Sequence, residues 1–258
     1  LTTTPESAPP EDLRAKIRDD LIRRLFAVAI SVGAATTLVQ MSWVQNGRWP
    51  CLAEWQQLFI LVAAMTATVL SWDGYLWSIA NRPLRNFWRF AIDVLLVFIY
   101  MFLLMTSKLL VWWLFLHALI YTLYAIWDLL TVYDWMPKYY RRPVPQQTIA
   151  RVYLGGLKDS EDVSRGPVIT IVWGIYFWAL YALNFSGLNN RIFVTTIFVL
   201  FGLWLYRKDK REQFPMRKRL IWLAGLLIGN VVYVNCGLTD ATIWSWVGPR
   251  IGSASCVP

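Results

Sequence analysis

Charge is what this chain has little of. Of its 258 residues only 16% are Asp, Glu, Lys or Arg, while 57% are aliphatic, aromatic or sulfur-bearing. Soluble domains usually carry about a quarter charged residues, so this shortage argues against that class. Histidine occurs once, at His117, and cysteine three times, and no zinc-ligand cluster is present in the sequence. No HExxH or GxSxG pattern is present, nor a glycine-rich phosphate loop. A Ser-His-Asp triad would have to recruit His117 from the middle of an apolar run. No enzyme is expected, no metal site, and no cofactor is assigned.

Long apolar runs are what the chain has instead. Several approach the roughly 20 residues that carry a helix across a bilayer. The 16 tryptophans fit the same picture, because Trp and Tyr concentrate at membrane interfaces. The expected fold is all-α, a polytopic bundle of seven transmembrane helices. The segments fall at about 25–44, 55–77, 87–106, 109–133, 168–183, 192–206 and 220–234. Residues 1–24 form a cytoplasmic N-terminal segment. From it into the first segment Leu13, Ile17, Leu21 and Leu25, four apart, predict one face of a short amphipathic helix running into the membrane. Arg23 and Arg24 resemble a signal-peptide flank, but the following run is too long for one and reads as a retained anchor. Residues 25–235 form the helical domain. It is interrupted by a loop at 134–166, where PQQTIARVYLGG has room for a brief surface helix. Pro167 suits the first turn of the fifth segment. Residues 236–258 form a tail too polar and too broken by Gly and Pro to span again.

The placement of the positive charge sets the expected orientation. Counted by connection, 21 Lys and Arg fall on one side of the seven-helix arrangement and four on the other. Positive-inside bias puts the N-terminus in the cytoplasm and the C-terminus outside. This accounts for the net charge of +9 without nucleic acid. The bacterial inner membrane is the expected location. Cys51, Cys236 and Cys256 then all lie on the outer side, where disulfides persist. A Cys236–Cys256 bond is expected because a short loop closes most readily, with Cys51 the next partner and three free thiols the other reading.

Three apolar segments each carry an aspartate, and carboxylates inside a membrane mark function by default. Asp73 ends the second segment, Arg89 and Asp93 stand one turn apart in the third, and Asp128 lies in the fourth. The expected topology brings all of them to one height, a net acidic cluster suited to a cation or a proton. Arg89 is expected to pair with Asp93, leaving Asp73 or Asp128 to carry the proton. His117, Tyr121, Tyr124 and Asp128 are spaced four, three and four, one polar stripe that reads as a relay, and Tyr100 lies two turns beyond Asp93. The competing reading is that these groups pin helices together. For helix packing, Gly225 and Gly229 form a GxxxG spacing with Asn230 beside it, and Ala27, Ser31 and Ala35 form a small-residue face.

The text NFWRFAIDVLLV resembles the third helix of voltage-sensor-type modules. The fourth segment, however, carries no Arg or Lys at three-residue spacing, so voltage sensing is not implied and no family is assigned. The expected function is conduction or transport of a proton or small cation through the acidic cluster. The alternative is a non-catalytic membrane subunit or scaffold whose basic loops bind a protein or anionic lipid. The expected partners are membrane lipids, a second copy of the chain or other membrane subunits.

Overall fold

A computed structural model describes residues 10–81, 86–106, 110–139, 161–185 and 191–247. Regular structure among them is entirely helical: α1 (Pro10–Val39), α2 (Ser42–Gln45), α3 (Leu52–Asn81), α4 (Phe87–Met105), α5 (Leu110–Tyr139), α6 (Glu161–Asn184), α7 (Ile192–Glu212), α8 (Met216–Asn235) and α9 (Asp240–Val247). Helices are the economical solution for apolar chain in lipid, because every backbone donor and acceptor is satisfied within the segment. Many hydroxyls follow the same logic: Thr37, Thr68, Thr122 and Thr131 each donate to the carbonyl four residues earlier. At the start of α4, Asn86 caps the helix by accepting from the Trp88 amide at 2.7 Å.

A helix stands at each of the seven segments expected from sequence. Five, α1 and α3 to α6, are long and apolar enough to cross a membrane, and α8 with α9 adds a sixth if that pair, bent by 83°, is one span. The apolar stretch of α7 gives way at Arg207 to the charged run RKDKRE. Helix α1 packs along α4, α4 on α5, and α5 along α6, while α3 lies against α7, α1 and α4 and α8 lies against α6 and α7. One continuous core joins them, with Trp113, Trp173, Tyr176 and Phe177 among its most deeply buried side chains.

Several local expectations are corrected. Residues 10–24 belong to one helix with the first segment, and Leu13, Ile17 and Leu21 point outward while Ala15, Ile22 and Phe26 point into the core. Ala27, Ser31 and Ala35 are likewise exposed. The face that meets α4 is Ala29, Gly33 and Thr37. A Cβ at Gly33 would lie 3.1 Å from Leu104 Cβ, and Thr37 Oγ1 donates to the Leu104 carbonyl at 3.0 Å. The expected loop is shorter than 134–166, since α5 continues to Tyr139 and α6 begins at Glu161. Pro167 therefore sits inside α6 rather than in its first turn. The brief helix expected around Ile149 lies outside the described residues. The tail carries α9, whose Asp240 binds back to the bundle: its carboxylate accepts from Gln56 Nε2 at 2.7 Å and from the Ile192 and Phe193 amides at the start of α7.

The GxxxG expectation divides. A Cβ at Gly225 would meet nothing within 4 Å, so that glycine mediates no helix contact, whereas Gly229 faces the Phe198 ring at 3.4 Å. Asn230 is wholly buried and accepts from Asn184 Nδ2 at 3.2 Å, linking α8 to α6. Cys236 is an exposed free thiol, so the expected Cys236–Cys256 bond is not made. Cys256 itself lies outside the described residues.

Candidate functional site

The expected acidic cluster is resolved into three separate environments. Asp73 lies at the surface, its side chain 62% exposed, paired with Arg211 of α7 at 2.9 Å. Asp128 is mostly buried and is held by Lys210 of α7 at 2.7 Å and by the Thr170 hydroxyl of α6. Lys210 also donates to the Gly166 carbonyl at 3.1 Å. Burial lowers the affinity of an ammonium for its proton, but the adjacent Asp128 carboxylate outweighs this and holds the Lys210 pKa above its ordinary value. Each of these two acids is thus neutralised by a base from RKDKRE, a run that by sequence is only a cytoplasmic flank. Helix α7 passes beside both α3 and α5, a neighbourhood that spacing along the chain does not disclose.

Asp93 is different. It is 4% exposed and shares the buried face of α4 with Arg89, whose guanidinium lies 4.5 Å over the Trp127 ring. The Oδ2 atom of Asp93 is buried and makes no hydrogen bond, and the same is true of the Tyr75 hydroxyl on α3. Both residues line a cavity of about 30 Å³ together with Ser71, Tyr100 and Tyr124. That volume accommodates about one water or one bare monovalent ion. From the cavity a hydroxyl chain continues: Tyr100 donates to Ser71 Oγ, and its oxygen lies 3.0 Å from that of Tyr124 on α5. Apolar neighbours, Phe26, Trp72, Leu96 and Val97, close the remaining walls.

The stripe on α5 does face the interior, but it is not one continuous polar path. His117 Nδ1 bonds to the Trp113 carbonyl at 2.9 Å, and its ring packs between Trp113 and Phe177. Its Nε2 is buried without a partner. Tyr121 stacks on Phe177 with centroids 4.2 Å apart and meets Tyr206 edge-on at 4.8 Å. Aromatic packing therefore separates His117 from the hydroxyl chain that begins at Tyr124. Tyr75 and Ser71, which spacing did not single out, complete the cavity. The signal available for them was their position on α3 within one turn of Asp73, whereas the cavity they line holds Asp93.

A deeply buried ion pair, Asp209 with Arg219, was also missed. Asp209 is fully buried and accepts from Arg219 Nε and Nη2, from Trp173 Nε1 at 2.9 Å and from the Phe214 amide at 2.9 Å. It fastens the turn between α7 and α8, where Gln213 takes the left-handed conformation with φ 51°, against α6. Among the described residues no group of three or more His, Cys, Asp or Glu side chains is placed to hold a metal. No family model, curated protein or solved structure matches the chain.

Proposed function

We propose that this multi-pass membrane protein takes up and passes a proton or small cation at Asp93. The observation that carries this reading is the buried Asp93 oxygen without a hydrogen-bond partner, lining a small, mostly apolar cavity that also touches Ser71, Tyr100 and Tyr124, whose hydroxyls are linked to one another. Leaving a carboxylate oxygen unsatisfied in a low-dielectric interior is costly, and binding a proton or cation removes that cost. Hydroxyls both accept and donate, so the Tyr100–Tyr124 contact suits stepwise proton hand-over. The assignment moves the working acid from Asp73 and Asp128 to Asp93, because the first two already have bases at 2.9 and 2.7 Å. Those ion pairs favour the pinning role for Asp73 and Asp128.

Reconstituted in liposomes with an internal pH dye, the wild-type chain is expected to dissipate an imposed proton gradient faster than empty liposomes. Asp93→Asn, which keeps the shape and removes proton exchange, is expected to fall to the background rate, and Asp73→Asn to keep the wild-type rate. Equal rates for Asp93→Asn and wild type, with both inserted to the same extent, would refute the assignment.

The orientation belongs to the same proposal: seven crossings of a bacterial inner membrane, the basic connections inside and the C-terminus outside, an orientation supported by the 21-to-4 distribution of Lys and Arg. We further propose that Cys51 pairs with Cys256. Cys51 is 0% exposed, while Cys236 is free. A membrane-impermeant maleimide applied to intact cells is expected to label one thiol, Cys236, and to reach Cys51 and Cys256 only after unfolding and reduction. Labelling of Cys236 only from the cytoplasmic face overturns the orientation. Three labelled thiols in unfolded, unreduced protein overturn the pair.

A further inference from the structure

We propose that Arg207, at the basic end of α7, is the centre of a binding site for a phosphate-bearing anion. The run Arg207–Glu212 reads RKDKRE, and every charged group in it but one has an opposite charge. Lys208 meets Glu212 at 3.8 Å, Asp209 is clasped by Arg219, Lys210 holds Asp128 and Arg211 holds Asp73. Arg207 is the exception: among the described residues its guanidinium makes no ion pair and donates no hydrogen bond. It is nevertheless half-buried. It lies 5.6 Å over the Tyr206 ring.

The packing is specific. A Cβ at Gly74 of α3 would overlap Nη1 of Arg207, so the guanidinium occupies the space that only a glycine leaves. Ring faces repay part of the desolvation of a cation but leave its N–H donors without acceptors. A guanidinium presents those donors as a planar fork that matches two oxygens of a phosphate. The neighbouring Lys208, Lys210 and Arg211 are each matched by an acid, so the positive charge open to an anion there is that of Arg207. A lipid headgroup and free phosphate share this chemistry. The site does not depend on proton uptake at Asp93, and it is read out by binding alone.

The test uses the full chain in a neutral maltoside detergent. One arm measures thermal unfolding with inorganic phosphate against chloride at matched ionic strength. The other measures, by native mass spectrometry, retention of phosphatidylglycerol against the phosphate-free lipid digalactosyldiacylglycerol. Wild type is expected to bind in at least one arm. Phosphate alone identifies a soluble anion, and phosphatidylglycerol alone identifies a headgroup. Arg207→Gln is expected to weaken that binding by about tenfold, as the loss of a charge-assisted bidentate contact predicts. Gly74→Ala keeps the charge and favours the helix, yet displaces the guanidinium, and is expected to weaken binding several-fold. It also serves if Arg207→Gln fails to fold. Lys218→Gln, which removes a base packed on Phe214 instead, is expected to bind as wild type. Absence of binding in both arms overturns the site, as does wild-type binding by either Arg207→Gln or Gly74→Ala.

Discussion

Asp209→Ala is expected to destabilise the protein by about 3–5 kcal/mol, the usual cost of removing one partner from a buried ion pair. The substitution strands Arg219, whose side chain is 7% exposed and whose Nε and Nη2 both bind this carboxylate. It also removes the acceptor of Trp173 Nε1 on α6 and of the Phe214 amide in the turn. Three elements lose their common anchor at once. Arg219 keeps only its contacts to the Phe214 carbonyl at 3.0 Å and to Met216 sulfur. Unfolding in detergent, followed by tryptophan fluorescence against denaturant, measures the effect. Replacing both charges, Asp209→Leu with Arg219→Met, is expected to recover much of the loss, because no charge is then left buried alone. An Asp209→Ala protein as stable as wild type would show that the clasp is not a stability determinant.

Gly202→Ala is the second large effect, and it comes from crowding rather than charge. A Cβ at this position would overlap the Tyr176 ring, with three ring atoms inside contact distance. The ring has nowhere to go. Its hydroxyl donates to the Phe198 carbonyl at 2.9 Å, and it packs edge-on against Trp173 and Phe177. Adding one methyl to so full a site costs about 1–3 kcal/mol. Gly225→Ala is the internal control: a Cβ there meets nothing within 4 Å, and the better helix propensity of Ala gives a neutral or slightly stabilising change. The same denaturation measurement decides the matter, and equal stabilities for the two variants would contradict the packing described here. The contrast matters because Gly225 and Gly229 carried the recognisable spacing, whereas Gly202 and Gly33 make the close approaches. Spacing of small residues says that a close contact is possible on a face. Which face meets a neighbour depends on how the helices are arranged.

The same distinction runs through the candidate site. Asp73, Asp93 and Asp128 were all legible as unusual, because a carboxylate in an apolar run is conspicuous by composition alone. Their division of roles was not. Asp73 and Asp128 find bases on α7, about 138 and 82 residues away along the chain, and only Asp93 is left facing a cavity. Tyr100 and Tyr124 were legible as polar positions on interior faces, and they do meet, at 3.0 Å. His117 shares the α5 stripe with Tyr124, yet its surroundings are Trp113 and Phe177, since helical phase gives a residue's direction but not what waits there.

By itself the sequence determined that this is a helical membrane protein, where its helices lie and which acids deserve attention. Those properties are local: they follow from length, apolarity and the cost of charge in lipid within a single segment. The packing of the helices decided which acid is neutralised, which glycine is crowded and, among the described residues of the run at the end of α7, which base has no ion pair. Each of those depends on the side chain opposite, and in a bundle the opposite side chain is chosen by the packing of whole helices, through contacts spread over many residues that no short spacing encodes.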